Sequence, residues 1–95
     1  MESQVYVDNI RDTIKQLRID VDSLTNQVKH ESLETKKKAR MKYHSIKDEI
    51  NELDKLLDRI GEITDKSWHA MKTDVDEMVS NISSEIKEYK QEVKN

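Results

Sequence analysis

The chain of 95 residues contains no proline, no cysteine and no phenylalanine, a single glycine, Gly61, and a single tryptophan, Trp68. Each absence excludes something. Without proline and with one glycine, the turn chemistry that a sheet requires is missing, and little in the sequence interrupts a helix. Without cysteine there is neither a disulfide framework nor a thiolate metal site. No apolar run approaches the length of a membrane span. The beginning, "MESQVYVDNIRD", is polar and acidic and has no apolar core of signal-peptide length, so a cytoplasmic location is expected.

What is present is charge. Lys, Arg, Asp and Glu make up 39% of the residues, against 34% for hydrophobic ones. So little apolar mass suits helices that bury a narrow stripe and leave the other faces wet. Disorder is the competing reading at this composition, and the regular apolar spacing argues against it. Residues 1–47 hold 10 Lys/Arg and 7 Asp/Glu, a net +3; residues 48–95 hold 7 and 13, a net −6. Opposite halves of this kind attract each other within a chain or between chains.

Val7, Ile10, Ile14, Leu17, Val21, Leu24 and Val28 alternate in steps of three and four, which is three heptads of a coiled-coil seam. The flanking Arg11, Thr13, Arg18 and Asp20 suggest no charge pairing that would fix a partner's orientation. The seam stops at Val28. A second seam starts at Ala39 and runs through Tyr43, Ile46, Ile50, Leu53, Leu57 and Ile60. The stretch between them, "KHESLETKKKARMKYH", is rich in residues that propagate a helix. The spacing therefore predicts one continuous helix whose buried face rotates.

Gly61 then offers the residue type best suited to a left-handed helix terminus. Arg59 in the last turn suits the helix dipole. Thr64 or Asp65 can cap a following helix that carries Trp68, Met71, Val75, Met78, Ile82, Ile86, Tyr89 and Val93. The expected fold is all-α: an antiparallel two-helix coiled-coil hairpin with a first helix over about 4–60, a turn over about 61–64 and a helix over about 65–93. Its core is Tyr43, Ile46, Ile50, Leu53, Leu57, Trp68, Met71, Val75, Met78 and Ile82. Folding back at 62–63 places Trp68 against Leu57 and Ile60, and Glu85, Glu88 and Glu92 near Arg40, Lys37 and Lys36. One unbroken helix in a long parallel dimer is the alternative, since a glycine inside a helix costs only about 1 kcal/mol.

In the hairpin, residues 5–30 overhang and their seam has no partner in the same chain. A homo-oligomer through Val7, Ile10, Ile14, Leu17, Val21, Leu24 and Val28 is the expectation. Catalysis is not expected. Ser67 and His69 are two apart and point to different helix faces, and there is no phosphate loop or oxyanion turn. His30 with Glu34 and His44 with Asp48 share helix faces, but pairs of this kind arise by chance in so charged a chain. No metal or cofactor is expected. The run Lys36, Lys37, Lys38, Arg40, Lys42 and Lys47 contains no acid. It could meet phosphates, yet it lacks interleaved aromatics and the chain is acidic, which disfavours nucleic acid. An amphipathic surface-coating protein on membrane or storage granules is the second reading.

"ARMKYHSIKDEINEL" (39–53), Gly61 and "SWHAMKTDVDEM" (67–78) resemble a group of small bacterial helical-hairpin coiled-coil proteins of the stress response. The likeness covers about residues 28–82, with Ser67 where alanine is usual and Val79 where many members repeat the tryptophan. The resemblance implies a non-enzymatic coiled-coil scaffold or interaction protein with a stress-related role and no catalytic residues.

Overall fold

The computed structural model describes the backbone of residues 2–28 and 31–94 and the side chains of residues 3–28 and 31–92. His30 and the side chain of Val93 lie outside the described residues. Three helices account for the described chain: α1 (Glu2–Gln27), α2 (Leu33–Glu62) and α3 (Trp68–Lys94). Each packs on both of the others in a rod of 52 × 17 × 17 Å. The rod has the length of about 35 helical residues at 1.5 Å each, far short of the roughly 85 Å that a helix over 4–60 would span.

The expected first helix is thus two helices. At the first corner the Glu31 N–H donates to the Val28 carbonyl at 3.1 Å. Ser32 then caps α2 from extended backbone (φ −61°, ψ 159°), its hydroxyl accepting from the Thr35 N–H at 3.2 Å. That bond satisfies a donor that the start of a helix leaves free. The chain breaks where its two seams are discontinuous, and the apparent rotation of the buried face is a reversal of direction.

That reversal changes what covers the first seam. Val7, Ile14, Leu17, Val21, Leu24 and Val28 are all buried by the same chain, and Ile10 is partly buried against the same core. The expectation of an exposed seam over residues 5–30 is therefore corrected: α2 and α3 occupy it. The polar flanks follow. Arg11 meets Asp58, Arg18 meets Asn51 at 3.2 Å and Asp54 at 3.8 Å, and Lys47 meets Asp22 at 3.5 Å. This ladder sets α1 and α2 antiparallel in one register. The opposite charges of the two sequence halves meet inside the chain.

The second corner lies close to its expected place but is built differently. Gly61 is helical, with no positive φ, and α2 continues to Glu62. The C-cap is Ile63, whose N–H donates to the Ile60 carbonyl at 3.1 Å. Asp65 makes the turn: its carboxylate accepts from the Ser67 N–H at 2.8 Å, and α3 starts at Trp68. Assigning the turn to Gly61 and starting the last helix at 65 are both corrected, because an Asx turn replaces the glycine stop. The reversal centres near Asp65, so the register slides and Glu88 faces Lys42, at 3.3 Å, instead of Lys37.

The remaining core residues are placed as expected. Ile46, Ile50, Leu53, Leu57, Trp68, Val75 and Ile82 are buried, and Tyr43, Met71 and Met78 are partly buried against them. Tyr89 is fully buried, and its hydroxyl lies 3.0 Å from Thr25 Oγ1. Thr25 uses its own proton on the Val21 carbonyl at 2.9 Å, so Tyr89 is the donor in this pair. Among the described residues no helix is long and apolar enough to cross a membrane.

Candidate interaction surface

The two ends of the rod differ. At one end the Tyr6 ring of α1 lies 5.5 Å from the Trp68 ring, and the His69 ring stacks on Trp68 at 4.1 Å. The Tyr6 hydroxyl donates to Asp76 at 2.7 Å, and Lys72 stands over the Tyr6 ring. Burial, then the bond to Asp76 and its charge, push the Tyr6 phenol above its ordinary value. Trp68 does close an apolar end, as expected. Its ring partner Tyr6 went unforeseen, because Tyr6 precedes the seam and so falls outside the heptad pattern.

At the other end the residue in the core layer is Ala39. So small a side chain leaves two open grooves. One, of roughly 660 Å³, is lined by Ala39, Tyr89, Thr35, Lys38, Met41 and Lys42 among others. The other, of roughly 390 Å³, is lined by Val28, Ala39, Tyr43, Lys36 and Arg40 among others. α2 stands between them. Between Thr35 and Lys47 it carries six Lys/Arg and no acid; between Asp48 and Glu62 it carries six acids and two cations.

The expected neutralisation of this run by α3 is slight. Lys42 pairs with Glu88, Lys47 with Asp22, and Lys38 reaches Glu34 at 4.0 Å on its own helix. Among the described residues Lys36, Lys37 and Arg40 form no ion pair, and all three are exposed. Their position is electrostatically adverse. Lys36 and Arg40 are four apart and Lys37 and Arg40 three apart, spacings at which like charges repel on a helix, while the helix dipole fades within the first turn and adds little beyond Lys36. Stability does not account for this arrangement. A local rule broken without structural gain marks a candidate functional surface.

The outer face of the same turns is also apolar in part. Leu33 is 86% exposed and Met41 68%, the two most exposed of the large hydrophobic side chains described. Leu33, Lys37, Arg40, Met41 and His44 fall within an arc of about 100° on a helical wheel, turned away from the core. Sequence reading saw the basic run. It missed the apolar pair because Leu33 and Met41 fit neither seam.

A third feature lies mid-rod. Glu49 of α2 faces Glu85 of α3, and Glu85 Oε2 is buried without a hydrogen-bond donor. Burial, then the bond and charge of Glu85, with Glu52 adding and Lys42 opposing, push the Glu49 carboxyl up to about 7. A proton on Glu49 would give that oxygen a donor. Met78 and Ile82 line the same shallow groove. Among the described residues no three His, Asp or Glu side chains converge as a metal site, and His44 faces outward with Lys37 and Arg40.

No family model, curated protein or solved structure matches the chain.

Proposed function

We propose that the chain is a non-enzymatic helical interaction module whose working surface is the outer face of the first three turns of α2, and that its partner is polyanionic. The observation that carries this is the exposed cluster Lys36, Lys37 and Arg40, without an ion pair among the described residues and set at i,i+3 and i,i+4 spacing where its charges repel. The support for a binding role over catalysis is the lack of an enclosed polar cleft around any nucleophile or base: Ser67 and His69 are both exposed at the second corner. Heparin chromatography tests the reading. Lys36→Glu with Lys37→Glu should elute at clearly lower salt than the parent. Lys55→Glu with Lys66→Glu, an equal charge change at the far end, should shift elution much less. Equal shifts would mean that only net charge is sensed, and the reading would fail.

Self-association is a second reading, now on a different footing. The seam is occupied, but the two halves of α2 are oppositely charged, so two rods could pair antiparallel with cationic turns over acidic ones. A monomer mass by light scattering at high protein and low salt would remove it. The resemblance to stress-response hairpin proteins adds a stress-linked role to the proposal. A rise of the transcript after osmotic or oxidative shock tests that part, and an unchanged level argues against it.

A further inference from the structure

Resting on the reading above, we propose that the polyanion is an anionic lipid bilayer, and that the rod docks on it at a tilt, by the first three turns of α2, with Leu33 and Met41 entering between headgroups. Four observations converge. Leu33 and Met41 are the most solvent-exposed large apolar side chains described, and both project from the same end of the rod. Lys37 and Arg40 share the outer arc with Leu33 and Met41, Lys36 flanks it, and all three cations are exposed with no ion pair among the described residues. The stretch from Thr35 to Lys47 holds no acid that a negative surface would repel. Leu33 and Lys37 line neither groove, so a peptide helix seated in one, against Lys36 and Arg40, or in the other, against Met41, would leave both untouched.

A bilayer differs from other polyanions in using both components. Cations near an anionic leaflet gain attraction that decays over a Debye length, and the apolar side chains gain burial at the headgroup boundary. A nucleic acid would use the cations alone. Tyr43 of α2 is turned toward α1, where its hydroxyl donates to Asp22 at 2.9 Å. Among the described residues the imidazole of His44 is the one ring on the outer face of these turns, a smaller stacking surface than tyrosine or tryptophan offers. Asp48, Glu52 and Glu62 continue the outer face of α2 beyond these turns, so the rod tilts to lift its acidic half off the membrane, which sets the orientation of docking.

Co-sedimentation with phosphatidylcholine vesicles, pure or with about one-third phosphatidylglycerol, tests this. The full chain should bind the anionic vesicles at least about tenfold more tightly than the neutral ones, and lose that binding at high salt. Lys36→Glu with Lys37→Glu should lower binding about tenfold or more. Leu33→Ser with Met41→Ser should lower vesicle binding several-fold while leaving heparin elution unchanged. All these side chains are exposed, so circular dichroism should show the helices intact. Heparin retention without vesicle binding would overturn the lipid assignment and leave the module reading standing. Vesicle binding that ignores Leu33 and Met41, or that is equal on neutral lipid, would overturn it as well.

Discussion

The two ends of this rod are made from the same three helices and follow opposite priorities. The end at Tyr6, Trp68 and Ile60 uses large rings to seal the core, and its polar groups find partners: Tyr6 has Asp76, and Arg11 has Asp58. The end at Val28, Ala39 and Tyr89 is underfilled, grooved and cationic, and leaves Leu33 and Met41 in water. A chain of 95 residues with a modest apolar fraction has little stability to spare. The contrast implies that the first end holds the fold together and the second is kept free for contact. That implication can be broken by substitution.

The largest effect is expected at the sealed end. Trp68→Ala removes a buried ring on which Tyr6 and His69 rest, and should destabilise by about 3–5 kcal/mol, read as a lower denaturant midpoint. Leu33→Ser or Met41→Ser at the open end should change stability by less than about 0.5 kcal/mol. Comparable losses at both ends would erase the distinction. Leu17→Asp belongs with the first group. Leu17 is 7% exposed and within the core, so the substitution should unfold the monomer and not merely separate copies.

How much of this was legible follows from the same residues. Among the described residues, all the apolar positions assigned to seams are buried or packed against the core, because heptad spacing reports which side of a helix must be covered. It does not report by what. The seam at Val7–Val28 looked uncovered only because α1 and α2 were joined on paper. The break between them has no proline or glycine to announce it. Its local signal is Ser32 with Thr35, half of a capping box, set among strong helix formers. The ten-residue gap between Val28 and Ala39 was the stronger clue, since three segments of 26, 30 and 27 residues match in length only if the chain turns there. At the second corner the conspicuous residue, Gly61, was the wrong one, and the inconspicuous Asp65 made the turn.

The middle of the rod should respond to pH. A Glu49 carboxyl held near 7 binds a proton more tightly in the folded chain than in the unfolded one, where a value near 4.5 applies. Its contribution is present below about pH 4.5 and is lost as pH rises through 7. With solvent screening of this partly exposed pair, the loss is on the order of 1 kcal/mol. Glu49→Gln should flatten the stability profile between these limits and raise stability above pH 7. A parent chain whose midpoint is unchanged from pH 4.5 to 7.5 would contradict the proton on Glu49.

Gly61→Ala separates the two accounts of the second corner. A left-handed Gly61 would make alanine destabilising. The helical Gly61 seen here has nothing within 4 Å of an added Cβ. The substitution should therefore stabilise by about 0.5–1 kcal/mol, through a better helix former and a less flexible unfolded chain. A lower melting temperature would restore the glycine stop.

The smallest effect bears most directly on the comparison of the ends. Lys36 sits in the second turn of α2, near the positive end of the helix dipole, four residues before Arg40, and has no ion pair among the described residues. Lys36→Glu removes a cation from an adverse position and places a carboxylate ahead of an arginine in the favourable i,i+4 orientation. Both changes stabilise a helix, together by about 0.5 kcal/mol. The variant should melt slightly higher than the parent and bind heparin and anionic vesicles less well. A surface shaped only by folding would not show that opposition. If Lys36→Glu lowered stability, or raised it without weakening binding, the cations would be part of the scaffold and the open end would have no claim to be the working one.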